Sequence, residues 1–243
     1  DIPTLSNRVD LGVRIELKAE IFEDLTNELY ESKIVYRTEK FEDNVRTFCM
    51  NPRGIVVNEN TNGIITVNGH SYEGDDKKTD NTNFALLVSK HFSEPFKDSN
   101  GYGESIAKLS NMLGGGVIVQ RFGDLVRGRR STQKRIDEGI VVPTLKATPG
   151  DLSLVLPKRI LDGIIEMIYA LDKVAQGTAI RFCTEWRSSF TISKYRPTKI
   201  SKPSTRDCTS SATAAESHIR FRTHRPAEYM SRAAYCRKNN ERL

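Results

Sequence analysis

"VDLGVRIEL", Val9 to Leu17, decides the fold. Val9, Leu11, Val13, Ile15 and Leu17 alternate with polar or small residues along its whole length. A period of two belongs to a strand, not a helix. The alternation predicts a half-buried strand with one apolar face. The next stretch, "AEIFEDLTNELY", changes period. Ile21, Leu25 and Leu29 fall four apart, and acids crowd its first turn. Acids there complement the helix dipole, so a short amphipathic helix is predicted.

Further along come short β-rich runs: "KIVYRT", "RTFCM", "GIVVNE" and "GIITVNG". "NENTNG" joins the last two, and Asn and Gly tolerate the positive φ that a hairpin turn needs. "NFALLVSKHF" is apolar enough for a central strand. "GESIAKLSNMLGGG" reads as a helix with Ile106, Leu109 and Leu113 inward, ended by its glycines and followed by the strand "VIVQR". "FGDLVRG" reads as a helical turn or two, and "LVLP" as a brief extended segment. Pro157 opens the longest apolar stripe: Ile160, Leu161, Ile164, Ile165, Ile168, Leu171 and Val174, with Gly177 as its C-cap. Strands come mostly before helices. The fold class is therefore α+β, a mixed, largely antiparallel sheet with packed helices, followed by a disordered tail.

The 243 residues suit one large domain or two small ones. No apolar run is long enough to span a bilayer. The net charge of +6 hides an asymmetry. Residues 180–243 hold 14 Lys/Arg against 5 Asp/Glu, while residues 1–179 hold 23 against 26. Cys183, Cys208 and Cys236 lie in the basic part, leaving Cys49 alone in the body. A single-cysteine body reads as a reduced, cytoplasmic protein. The chain opens at Asp1 with no signal peptide, which reads as a piece of something longer or a gene whose reading opens late.

Motifs with chemistry are sparse. "GYGES" at Gly101–Ser105 could seat a phosphate on a helix start, but it lacks dinucleotide spacing and reads as a plain loop. "RFGDLVRGRRSTQKR" is basic enough to bind an anion, and a solvated face is the simpler reading. No His, Cys and Asp cluster has metal-ligand spacing. Cys49 ends a strand, where a buried packing role competes with a redox role. His70 follows a strand and a bend, where functional side chains and structural loop histidines are both found.

Five phrases carry a resemblance beyond these motifs. They are "VDLGVRIEL", "VRTFCMNPRGIVVNENTNGIITVNGHSY", "NTNFALLVSKHFSEPF", "GGGVIVQRFGDLVRGRRST" and "TPGDLSLVLPKRILDGIIEMIYALDKVA". In order, through roughly residues 8–177, they closely resemble an uncharacterised bacterial family of FAD-dependent dehydrogenases, also described as NAD-utilising flavoproteins. The resemblance implies a dinucleotide-binding half ahead of this region, with a glycine-rich phosphate turn. It implies that residues 1–179 form the substrate-side portion. It also implies a returning strand of the type "YGVEVKFY" and a "GLYxxGDGSG" segment that contacts FAD. On that implication, Cys49, Asn51, Asn68 and His70, at strand ends and bends, are the candidates facing substrate and flavin. For the intact family the resemblance implies FAD as cofactor, with a small-molecule substrate and NAD(P) as partners to be expected.

The family phrase stops after Ala179. New codons can be built from the third base of one codon and the first two of the next. Ile180 to Tyr195 then permits "TVLYGVEVKFYNIKI", and Arg206 onward permits "GLYVIGDGSGVTHSLSHA", with GDGSG across Ser211–Glu216. Residues 180–243 are therefore expected to be a frameshifted translation of the returning segment. Without that segment and the glycine-rich turn, the chain is expected to hold no FAD and to be inactive alone. The competing class is a non-enzymatic α+β module whose basic tail binds nucleic acid or another anion.

Overall fold

Strand β1 spans Arg8–Lys18 and is buried on both faces over almost its whole length. The half-buried strand expected from alternation is thus corrected, because β1 lies inside a sheet covered from both sides. The computed structural model describes residues 8–29, 32–96 and 98–175, and the backbone of two later strands. After β1 come a 3-10 turn at Ala19–Ile21 and a six-residue helix α1, Glu23–Glu28, with no buried residue. Strands β2 (Lys33–Arg37) and β3 (Asn44–Asn51) pair antiparallel. Strands β4 (Ile55–Thr61) and β5 (Ile64–His70) form a separate hairpin. Asn62 and Gly63, at φ 53 and 81, make its two-residue turn. Strand β6 (Asn81–His91) pairs β1 over its full length, from Arg8↔His91 to Lys18↔Asn81.

Helix α2 runs Ser99–Gly114, β7 is Ile118–Val119, α3 is Phe122–Val126 and α4 is Gln133–Asp137. Strand β8 (Thr148–Pro149) pairs β7, and α5 runs Lys158–Asp172. Strands β9 (Arg187–Ser193) and β10 (His218–Phe221) complete a six-stranded sheet ordered β10-β2-β3-β6-β1-β9. Strand β9 runs antiparallel to β1, and β10 parallel to β2. Apart from these two strands, the tail expected to be disordered lies outside the described residues. Strands β1 and β2 would otherwise present unpaired backbone groups at the sheet edges, which any extended segment can satisfy. The stretch expected to encode GDGSG, Ser211–Glu216, and the C-cap expected at Gly177 lie outside the described residues.

The apolar face of β1 meets α5. A Cβ on Gly163 of α5 would lie 3.5–3.7 Å from methyls of Thr38, Val45 and Val88. Val45 and Leu11 both pair with Val88, which fixes which face of the sheet the helix covers. Ile160, Ile164, Met167, Ile168 and Leu171 are buried there. Each contributes about 1.5–3 kcal/mol by leaving water. Val174 is exposed, since α5 ends at Asp172.

Helix α2 buries a line of mostly small residues, Ser99, Gly103, Ile106, Ala107, Ser110 and Gly114. Leu113 turns outward, not inward as expected. "GYGES" is helical, not a loop, because Asp98 caps α2 by accepting from the Gly101 N–H at 2.7 Å. "LVLP" is not extended either. A 3-10 turn at Leu152–Leu154 runs into its first residue, capped by Asp151, which accepts from Ser153 N–H at 2.9 Å.

Candidate functional site

The other face of β1 is polar and still buried. Asp10, Arg14 and Glu16 are each under 5% exposed. Strand β5 covers the middle of this face. Gly69 lies so close to Arg14 that a Cβ would sit 1.7 Å from Arg14 Nη2 and 2.2 Å from Asn51 Nδ2. Only glycine allows the hairpin to settle on the guanidinium.

Strand β3 supplies the next pieces through an irregularity. Its pairing with β6 shifts register between Phe48 and Asn51. Cys49 within the shift has φ 49, a left-handed conformation that costs a side-chain-bearing residue roughly 1 kcal/mol or more. The bulge turns the Cys49 carbonyl toward Arg14 Nη2, which donates to it at 2.7 Å. Asn51 Nδ2 donates to the same carbonyl at 2.8 Å and lies 3.5 Å from Cys49 Sγ. Just beyond, Gly54 passes beneath β5, where a Cβ would meet the His70 carbonyl at 2.4 Å.

Asn83 of β6 and Asn68 of β5 complete the network. Arg14 Nε donates to Asn83 Oδ1 at 2.9 Å, and Arg14 Nη1 reaches Asn68 Oδ1 at 3.5 Å. Asn51 Nδ2 also approaches Asn83 Oδ1 at 3.4 Å. Asn68 Oδ1 accepts from the Gly69 N–H at 2.8 Å, and its Nδ2 donates to Glu59 at 3.0 Å. Asn83 is 0% exposed, and its Nδ2 has no hydrogen-bond partner. Arg14 forms no ion pair among the described residues: all three of its acceptors are neutral oxygens. Burial pulls its guanidinium below the ordinary value, while Cys49, Glu16 and Glu59 push the other way. Glu16, two residues along, is engaged by the Thr144 N–H and hydroxyl.

Of the four residues singled out in the sequence, the structure brings Cys49, Asn51 and Asn68 into one network. His70 stands apart. It is exposed at the end of β5 and meets Tyr72 edge-on at 5.1 Å. Sequence reasoning missed Arg14, Asn83 and Gly69. A run of asparagines at the start of an apolar strand, "NTNFALL", was the available signal.

The basic loop is ordered from within. Asp124, 2% exposed, accepts from Arg129 Nε at 2.7 Å and Ser131 Oγ at 2.9 Å. Arg121 donates to the Arg135 carbonyl, and Arg135 to the Arg130 carbonyl. Three cations of the expected solvated face thus hold the loop together, and Arg127, Arg130 and Lys134 remain exposed. At the end of the sheet that carries Asn83, a polar cleft of about 270 Å³ opens on the opposite face, lined by Glu23, Arg53, Lys78 and Thr82 among others. Among the described residues no group of three His, Cys, Asp or Glu is placed to hold a metal. No described helix is long and apolar enough to cross a membrane.

Residues 9–184 match the family described as "FAD-dependent protein, C-terminal domain-like". The chain belongs to that family. The domain is thereby related to flavoproteins, and the match covers β1 through α5, including every residue of the Arg14 network. An uncharacterized protein of Clostridium beijerinckii (strain ATCC 51743 / NCIMB 8052) is 33% identical over 158 residues, which is 60% of this chain. The match spans only 28% of that relative's length.

Proposed function

We propose that this chain is the substrate-side domain of a cytoplasmic FAD-dependent oxidoreductase, a dehydrogenase whose electron partner is NAD(P). The observation that carries the reading is the buried Arg14 network inside a family defined by FAD dependence. A buried guanidinium without an ion-pair partner costs several kcal/mol in a dry interior, so a purely structural role accounts for it poorly.

The residues present fit one end of FAD and not the other. Asp98 already fills the helix start nearest the paired glycines, and its Oδ2 lies 2.1 Å from where a Gly101 Cβ would be. No diphosphate fits there. Cys49 and Asn68, half-buried over Arg14, suit the isoalloxazine and substrate side. FAD, when bound, supplies hydride acceptance. The protein's share is to orient the substrate through Arg14, Asn51 and Asn83, to keep water from that face with β5, and to present Cys49 and Asn68 at its mouth. His70, outside the network, is assigned a polar contact at the rim.

The reading includes a break in the coding frame near residues 178–180, which turns the returning FAD-binding segment into a basic sequence. The purified chain then neither retains FAD nor turns over. Stoichiometric yellow flavin co-purifying with it would overturn that. The nucleotide sequence tests the rest in one step. It should encode a glycine-rich flavin turn upstream and "GDGSG" in the shifted frame. Codons incompatible with either would refute the assignment.

A further inference from the structure

The Arg14 network is unbalanced in charge and in hydrogen bonds at the same point. Three other buried charges are matched within the chain. Asp10 has Arg46 and Arg8, Asp43 has Lys90 and Arg159, and Asp124 has Arg129. Arg14, 1% exposed, has only amide and carbonyl oxygens. Three of its five N–H groups are engaged, which leaves two. On the amide that accepts from its Nε, Asn83 Nδ2 is a second fully buried donor without an acceptor. Two unsatisfied donor sets and one unmatched positive charge call for a ligand that is both an acceptor and an anion.

We infer that Arg14 and Asn83 recognise a carboxylate, so that the substrate of this domain is a small organic acid. The inference deepens the proposed substrate-side reading and rests on it. A planar carboxylate matches the guanidinium fork, and its second oxygen can take the Asn83 carboxamide proton. One negative charge balances one positive charge. A phosphate dianion would exceed it. Entry is from the half-buried side formed by Cys49 and Asn68. The Arg14–Asn68 contact, the longest of the three at 3.5 Å, is the one that yields.

The test uses the full chain with three probes: benzoate, the uncharged benzamide and inorganic phosphate. Benzoate should raise the thermal midpoint and move the side-chain NMR signals of Arg14 Nε–H and Asn83 Nδ2–H₂. Benzamide and phosphate should do neither. Asn83→Asp places a carboxylate beside Arg14 at no cost to the unsatisfied donor, and Glu16, its cross-strand partner, is turned to Thr144. That variant should melt higher than the natural chain in buffer and bind benzoate at least about thirtyfold more weakly. No response to benzoate, an equal response to benzamide, or a stronger response to phosphate would each overturn the inference. The NMR comparison decides even if the variant does not fold. Because no flavin is added, a failure here is separate from a failure to find a flavin-binding half upstream.

Discussion

The buried polar face of β1 has two ends built from similar parts with opposite balances. At one end Asp10 is answered by Arg46 at 3.2 Å, by Arg8 at 3.4 Å and by the Ser89 hydroxyl. Four residues on, Arg14 forms no ion pair among the described residues. The first end is complete within the chain and ties β1, β3 and β6 together. The second is incomplete in hydrogen bonds and in charge. A buried group that a fold leaves unmatched beside matched neighbours marks where something else has to bind.

Four changes probe that contrast, from the largest expected effect to the smallest. Gly69→Ala drives a Cβ to 1.7 Å from Arg14 Nη2 and 2.2 Å from Asn51 Nδ2. It should cost about 3 kcal/mol, read as a lower urea midpoint. Gly63→Ala, at φ 81 in open space, is its control and should cost only about 1 kcal/mol.

Asp10→Asn attacks the balanced end and should cost about 2 kcal/mol at neutral pH. Burial alone would raise the Asp10 pKa, but hydrogen bonds from Arg46 and Ser89, with the charges of Arg46 and Arg8, hold it below the ordinary 3.8. Its stabilisation is therefore present above that value and lost as pH falls through the depressed folded pKa. The variant should lose less stability than the natural chain across that acid window. An unchanged acid limb would show that Asp10 carries no such linkage. Asp43, lowered by Arg159 and Lys90 against its burial, supplies a second step of the same sign that survives in the variant.

Cys49→Gly removes a side chain at φ 49 and should stabilise the fold by under about 1 kcal/mol, read as a higher urea midpoint. A loss instead would show that the Sγ contact with Asn51 outweighs the backbone strain. Glu42→Ala breaks an exposed pair with Arg37 and should change stability by less than about 0.5 kcal/mol.

The alternation of Val9 to Leu17 made β1 legible, and the run from Asn83 to Phe92 made β6 legible as a central strand. What lies against each face was not legible. Period two separates Leu11 from Arg14 but does not tell water from the underside of a hairpin. Arg14 therefore read as a solvent residue until β5 was seen above it. Cys49 and Asn51 could be singled out because "NPRG" ends a strand, yet nothing in the sequence marks the shifted register that aims the Cys49 carbonyl inward. Asn68 and His70 have the same parity on β5. Only the fold shows that Asn68 bends back to the Gly69 N–H while His70 runs outward. In "GYGES" the glycines read as a loop, and the Asp98 cap makes the stretch helical in the structure.

The pairing of the first strand with the sixth also has a consequence for folding order. During synthesis β1 emerges first, but its long partner β6 is complete only at His91. In that interval the β2–β3 and β4–β5 hairpins can close locally, since loop closure favours near neighbours. Strand β1 meanwhile carries five large apolar side chains with nothing to bury them. Pulse-labelled hydrogen exchange should find the hairpin amides protected before those of β1. The nascent strand, and not the finished domain, is then the point at which a chaperone has most to do.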